Sequence, residues 1–256
     1  MSSDSKKPGA GASHASTASA TAVVIGRAGS RGLPGKNAMM VAGRPMIARS
    51  VDRAVEARSV GRVLCSTDGE RIARAAEAAG AEVIMRPAEF ADDHATIDSA
   101  VRHAIDAGGD EAKWVVILYG NIPVRPEGLV DRAVDLLVSS GADSVQSYSP
   151  VGKHHPFWTC RVDEHSRVSQ WEPNRVHRRQ DLPEAFIPDG GVLAVTRKAL
   201  FDVDPEDPHA FLGKDRRGIR NPAGSVIDVD DEIDLLVAEA MLARDEGSTS
   251  SGADGP

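Results

Sequence analysis

Cysteine is scarce, with only Cys65 and Cys160 in 256 residues. The two are far outside a C-x-x-C spacing, which excludes a zinc knuckle built on such a pair. A single disulfide stays open against two buried thiols in a reducing cytoplasm. Aromatic residues are also few, at 4%. No stretch approaches the roughly 20 apolar residues that a membrane-crossing helix needs. Positive charge is outnumbered, with Lys+Arg 30 against Asp+Glu 38 and a net charge of -8. An acidic chain is a poor whole-molecule partner for nucleic acid. The two ends lack large apolar residues in any run. Residues 1–20 pass from Lys6-Lys7-Pro8 into an Ala/Ser/Gly mixture, and 247–256 are Gly/Ser-rich. Both read as disordered tails rather than as a signal peptide, so the chain is expected in the cytoplasm with neither nucleic acid nor membrane as a partner.

Between the tails, hydrophobic residues reach an ordinary overall 41%, and a chain of this length buries a core without staples. Ala22-Val23-Val24-Ile25 reads as a buried strand, 45–57 as a helix with Met46, Ile47, Ser50, Val51, Ala54 and Val55 on one side, and 62–66 as a second strand. Helix 70–79, strand 82–85, helix 96–107, strand 114–118 and helix 126–139 continue the alternation. The rhythm then breaks. A strand at 144–149 precedes an aromatic, polar stretch read as an antiparallel excursion. Strands at 190–195 and 225–229 and a helix at 232–244, with Ile233, Leu236, Val237 and Ala240 inward, complete the pattern. The expectation is one α/β domain over 21–246, a doubly wound and mostly parallel Rossmann-like sheet, with a small antiparallel arm inserted at about 150–190.

The first strand opens into Gly26-Arg27-Ala28-Gly29-Ser30-Arg31-Gly32-Leu33-Pro34-Gly35-Lys36-Asn37. Glycines let backbone amides close on a phosphate, and guanidinium and ammonium groups add charge. In a parallel sheet, such a loop lies at the ligand-binding end. Lys36 is followed by Asn37, so this is not a Walker A loop, and the spacing is not the Rossmann G-x-G-x-x-G. Phosphate binding is the expectation, against a plain surface loop with solvated cations.

This segment resembles the signature of the acylneuraminate (CMP-sialic acid synthetase) and KDO cytidylyltransferases, roughly I-P-A-R-x-G-S-K-G-x-P-x-K-N. Arg27, Gly29, Ser30, Gly32, Pro34, Lys36 and Asn37 match in register. Further strings extend the likeness from about Val23 to Leu242: Ser66-Thr67-Asp68, Gly80-Ala81-Glu82-Val83 with Arg86-Pro87, Asp92 with Thr96 and Ser99, Arg178-Arg179-Gln180-Asp181-Leu182-Pro183, and Ser225-Val226-Ile227-Asp228-Val229-Asp230. The resemblance implies transfer of CMP from CTP to a small acidic sugar with release of pyrophosphate. It places Gly26, Arg27, Gly29, Ser30, Arg31, Gly32, Lys36, Asn37, Arg86 and Ser99 at the nucleotide, with Arg27 and Lys36 on phosphates. It implies a homodimer whose arm brings Arg178, Arg179 and Gln180 to the acceptor. Guanidinium groups suit a carboxylate, although Arg178 and Arg179 also fit a solvated pair. Lys153, His154 and His155 are candidate additions to that pocket.

Asp228 and Asp230 lie two residues apart, so on a strand both point to one side and can share a Mg²⁺ ion. The other reading is a polar strand end, and Asp68 is equally a candidate cap for the next helix. Two strings depart from the family. Leu118-Tyr119-Gly120-Asn121-Ile122-Pro123-Val124-Arg125 replaces L-Q-P-T-S-P-L-R, leaving Asn121 as a candidate for the polar role of the glutamine. Phe186-Ile187-Pro188-Asp189-Gly190 replaces Y-x-x-N-G, putting a carboxylate, Asp189, at the acceptor. Alternatives are the same chemistry on KDO or another acceptor, a nucleotide-binding protein without turnover, or a glycosyltransferase using Asp228-x-Asp230.

Overall fold

The computed structural model describes residues 19–29, 32–91, 95–204 and 206–250, without the side chains of 245–250. Its elements in chain order are β1 (Ala20–Ile25), β2 (Met40–Val41), β3 (Arg44–Pro45), α1 (Met46–Val55), β4 (Val60–Thr67), α2 (Glu70–Ala78) and β5 (Glu82–Met85). These are followed by α3 (Ile97–Ala107), β6 (Trp114–Tyr119), α4 (Leu129–Ser140), β7 (Ser144–Pro150), β8 (Cys160–Val162) and β9 (Val168–Gln170). The last are β10 (Phe186–Thr196), α5 (Arg197–Phe201), β11 (Arg216–Arg220) and α6 (Glu232–Ser250).

Seven strands form the main sheet in the order β11-β7-β10-β6-β1-β4-β5. Pairings of β1 with β4 and β6, β4 with β5, and β11 with β7 are parallel, whereas β10 is antiparallel to both neighbours. Successive residues of β1 serve opposite faces. Ala22 and Val24 join the core under α1, α2 and α4, with Ile47, Val51, Ile72, Val134 and Leu137. Val23 joins the core under α3 and α5, with Val101, Ala104, Ile105 and Leu200. This period-2 division is what makes the strand nearly continuous in hydrophobicity, as a sheet covered on both faces requires. The arm is the exposed antiparallel pair β8–β9, at the far end of the ribbon where β7 and β10 run on together.

The fold agrees with the expected class and differs in its details. The first strand begins at Ala20, two residues before the run read as a strand from Ala22, and one before the expected domain start at Thr21. Of the N-terminal stretch read as a tail, 1–18 lie outside the described residues. Of the C-terminal stretch, 247–250 continue α6, and 251–256 lie outside. Helix α4 starts three residues after Pro126, because Gly128 at φ 65 bends the chain in a left-handed conformation. Val55 is exposed, one position off the buried face of α1. Residues 225–229 are not a strand. Ile227 forms an isolated bridge with Val124, and Val229 N donates to Asn121 O, so this segment lies along a loop. The sheet's edge strand is instead β11, a basic segment with no apolar alternation. In α6, Ile233, Leu236, Val237 and Ala240 face outward. Leu235, Ala238, Met241 and Leu242 pack on Leu33, Val41, Met46, Val124 and Val229. The helix is apolar on two sides, so periodicity does not choose between them. Cys65 is buried and Cys160 exposed, and both are free.

One buried cation ties the ligand end of the sheet together. Arg125 is 6% exposed and donates to Tyr119 O at 2.7 Å, Gly191 O at 2.7 Å, Ser50 Oγ at 2.9 Å and, more closely still, Ile122 O. Burial pushes its guanidinium down to about 9. Ser50 Oγ itself donates to Tyr119 O. Removing the guanidinium strands several buried acceptors, so Arg125→Ala should lower the unfolding free energy by about 3 kcal/mol or more in urea denaturation. A loss within about 0.5 kcal/mol, the range of ordinary surface substitutions, would contradict this role.

Candidate nucleotide site

The site lies at the carboxyl ends of β1, β4 and β6. There the loop after β1 meets the segment before α6, although the two are nearly 200 residues apart in the chain. Lys36, on a short 3-10 turn, reaches across the gap with its Nζ 2.9 Å from Val229 O and 2.6 Å from Asp230 Oδ1. Gly32 backs this junction: a Cβ there would lie 2.3 Å from Asp230 O, so no other residue lets the loop approach so closely. Leu33 is buried in the same core as Val229. A second tie holds the near end of the loop, where Ala28 N donates to Asp68 Oδ1 at 2.8 Å. Asp68 therefore restrains the loop; the N-cap of α2 is Gly69.

A cleft of about 170 Å³ opens beneath this loop, lined by Ile25, Gly26, Arg27, Lys36, Asn37, Arg86, Thr96, Ile97, Tyr119 and Asn121 among others. Asn37 is 5% exposed. Its Nδ2 donates to Arg27 O at 2.9 Å, and its Oδ1 is buried without a partner. Such an orphaned acceptor is costly unless a ligand donates to it. Arg86 is held from behind, donating to Ser66 O at 2.8 Å, Ser66 Oγ at 3.2 Å and Phe90 O at 3.2 Å. Burial lowers its pKa, and Asp68 partly offsets this.

The acidic side of the cleft is built on Asp228 and Asp230. Asn121 Nδ2 donates to Asp228 Oδ1, and Asp234 Oδ2 accepts from Asp230 N at 3.0 Å. Burial first, then repulsion from Asp230, pushes the Asp228 carboxyl up to about 6. Two crowded carboxylates are an excess of negative charge that a divalent cation relieves, and oxygen donors suit Mg²⁺. Among the described residues no group of three or more His, Cys, Asp or Glu forms a metal cage. The pair therefore fits an ion that takes its other ligands from phosphate oxygens and water.

Of the residues singled out from sequence, Gly26, Arg27, Lys36, Asn37, Arg86 and Asn121 line the cleft, and Asp228 and Asp230 border it. Gly32 sits behind it and Gly29 is exposed at its edge. Ser30, Arg31 and Asp92 lie outside the described residues. Ser99 does not line this cleft: it lines a separate groove with Phe90 and Arg102, and its hydroxyl donates to Thr96 O within the first turn of α3. Arg178, Arg179 and Gln180 sit on the arm; Arg178 pairs with Asp181, and none of the three lines the cleft. His155 is buried against Phe157 N and Pro183 O, a structural position, whereas Lys153 and His154 are exposed. Asp189 does not line this cleft, and its oxygens accept from Ser147 Oγ, Ser149 Oγ, Gly191 N and Asn221 Nδ2.

Sequence reasoning missed a second, larger cavity beside the cleft, lined by Gln146, Tyr148, His209, Phe211 and Arg216. The signal was the i, i+2 spacing of Gln146 and Tyr148, which puts both on one face of a strand.

The titration of Asp228 sets a stability prediction. An unfolded aspartate titrates near 3.8 and the folded one near 6, so the folded protein holds more protons in that window. Stability from this group is present at low pH and is lost as pH rises through about 6. Asp228→Asn should match wild type near pH 4 and be the more stable of the two at pH 7 in denaturant titrations. Equal stability at both pH values would contradict the shift.

A family model described as "Cytidylyltransferase" matches residues 21–175. The N-acylneuraminate cytidylyltransferase of Streptococcus agalactiae serotype V is 30% identical over 173 residues, 67% of this chain and 42% of that protein. The chain thus spans less than half the length of that relative. The CMP-N,N'-diacetyllegionaminic acid synthase of Legionella pneumophila is 27% identical, covering 86% of this chain and 95% of the relative. Among solved structures, a CMP:2-keto-3-deoxy-manno-octonic acid synthetase complexed with CTP superposes with a TM-score of 0.69 at 20% identity, over 89% of this chain and 100% of that one. That likeness speaks for the fold. The sequence match over more than half of the chain, onto a loop and cleft of this construction, shows that the chain belongs to the cytidylyltransferase family.

Proposed function

We propose that this protein transfers CMP from CTP to a small acidic sugar, releasing pyrophosphate. The observation that carries the reading is the junction of the glycine- and cation-rich loop with the Asp228–Asp230 segment across one cleft. The triphosphate lies along the loop, where backbone amides, Arg27 and Lys36 meet its charge. Asn37 offers its unpartnered Oδ1 to a donor on the nucleotide. The acceptor enters past Tyr119, which lines both the nucleotide cleft and the neighbouring cavity, toward Asn121 in the cleft.

Asp228 and Asp230 are the residues that would hold magnesium. Bound there, the ion supplies a lowered pKa at the attacking hydroxyl and neutralises charge developing around the α-phosphate. Lys36 exchanges its contact with Asp230 for a phosphate oxygen, and Asn121 keeps Asp228 oriented. The acceptor hydroxyl attacks the α-phosphorus in line and pyrophosphate leaves, so positioning and electrostatics account for most of the rate. Repulsion of an acidic acceptor by Asp189 is not an obstacle, given the four donors that hold that carboxylate.

A homodimer is part of this proposal. Val162, Val168 and Trp171 on the arm and Ile187 at its base are more than half exposed, an apolar surface that a second copy would cover. That copy would bring Arg178, Arg179 and Gln180 to the acceptor. The reaction belongs in the cytoplasm, where the exposed Cys160 thiol stays reduced.

A pyrophosphate-release screen crossing CTP, UTP, ATP and GTP with a set of α-keto acid sugars tests the reading. CTP with one of the sugar acids should give turnover, and Asp228→Ala with Asp230→Ala should abolish it. Lys36→Ala should cut kcat/KM by about 100-fold or more, the size of effect seen when a transition-state charge contact is lost. CTP binding with no pyrophosphate formed on any acceptor would favour a nucleotide-binding protein without turnover. Full activity of the double variant with Mg²⁺ would rule out the metal site.

A further inference from the structure

The cavity beside the nucleotide cleft has a volume of about 620 Å³ and shares Ala95, Thr96, Ile97 and Tyr119 with it. Leu193, Phe211 and Leu212 give it an apolar wall. Strand register fixes how far it extends. Leu193 faces both Ile117 and Gln146, so Gln146 is level with Ile117, and Tyr148 with Tyr119. Arg216 pairs with Ser144, two positions below Gln146. The Cα of Arg216 therefore lies four strand positions below the level of Tyr119, about 13 Å along the strand direction.

Three arginines stand on β11, and they differ in their partners. Arg217 pairs with Asp215, and Arg220 with Glu184. Arg216 has no carboxylate partner among the described residues, and it is the one that lines the cavity. Its Nε donates to Gly213 O at 2.8 Å and its Nη2 to His209 O at 3.0 Å. These two bonds fix the guanidinium plane and leave Nη1 uncommitted. The carboxylate in the cavity wall, Asp98, is already matched by Arg102 Nη1 at 2.6 Å. A held guanidinium with an open donor, at the end of a cavity remote from the reacting groups, is arranged to bind oxygen atoms of a ligand.

We infer that Arg216 reads the end of the acceptor farthest from its reacting hydroxyl, donating from Nη1 to an oxygen on an extended tail. The inference rests on the function proposed above and narrows its acceptor to a sugar acid with an oxygen-bearing chain beyond the ring. Arg216 is a specificity residue, distant from the phosphate that reacts.

The test is steady-state kinetics with CTP and two acceptors, N-acetylneuraminate and the same acid shortened by mild periodate cleavage and borohydride reduction of its methyl glycoside, with the anomeric hydroxyl then freed by acid hydrolysis. In Arg216→Ala, KM for the intact acid should rise about 10- to 100-fold, the range for a lost hydrogen bond to a charged group. Its kcat and the KM for CTP should hold. The shortened acid should bind weakly to wild type and no more weakly to the variant, and Arg216→Lys should recover part of the loss. An unchanged KM for the intact acid, or equal rises for both acids, would overturn the inference. If Arg216→Ala does not fold, Arg216→Gln and Arg216→Lys carry the same comparison. If wild type turns over no sugar acid, the functional reading fails. Calorimetric titration of the CTP-saturated protein with the intact acid then decides this point. Weaker binding in the variant would support it, and equal binding would overturn it.

Discussion

Lys36 is the residue on which the site depends. Its ammonium spans two stretches of chain that neither sheet pairing nor a shared helix would bring together, and it lands on a backbone carbonyl and a carboxylate at once. The Lys36 side chain is only 14% exposed and that of Asp230 72%, so the carbonyl contact is the sheltered half of the tie and the ion pair stays open to solvent. The glycine at position 32 makes the approach possible, and the small core of Leu33, Val41, Met46, Val124, Val229, Ala238 and Leu242 holds it in place. A glycine- and cation-rich loop and an acidic pair meet at a single cleft through this junction. In the proposed reaction the same ammonium would pass to a phosphate oxygen once a cation held the carboxylate.

The rest of the fold supports that geometry. Parallel strands bring the ends of β1, β4 and β6 to one edge, where backbone and side chains at Gly26, Arg86 and Tyr119 converge. Arg125 locks the turn after β6 to β10 and α1 from inside. Strand β7 then carries the chain out to the arm, and the antiparallel β10 brings it back. It leaves one sheet face, bearing Gln146, Tyr148 and Leu193, open next to the nucleotide cleft. The nucleotide cleft thus opens at one rim of the sheet, and the neighbouring cavity extends down its face.

The α/β alternation was legible because buried strands and amphipathic helices leave period-2 and period-3.6 patterns. The glycine loop was legible because four glycines and three cations have little reason to share a turn otherwise. The failures have physical causes. Helix α6 is apolar on two sides, and only its packing partners choose Ala238 and Leu242 over Ile233 and Leu236. Strand β11 is charged along its length, since it is an edge strand, and charge on an edge is compatible with pairing on the other side. Asp189 looked like a repulsive substitution, but its four donors come from residues 147, 149, 191 and 221, a convergence that no local spacing announces. Ser99 was placed by motif, whereas the first turn of the helix puts its hydroxyl on Thr96 O and its side chain in a separate groove. The cavity beside the cleft draws on four strands and two loops, so it had no contiguous signature.

A crystal structure of the protein with CTP and Mn²⁺ in place of Mg²⁺, located by anomalous scattering, tests the central claim most directly. The account predicts the triphosphate along residues 26–37, Lys36 moved from Asp230 onto a phosphate oxygen, and the metal bonded to oxygens of Asp228 and Asp230. Nucleotide density elsewhere on the sheet, or a metal away from that pair while Lys36 stays on Asp230, would contradict it.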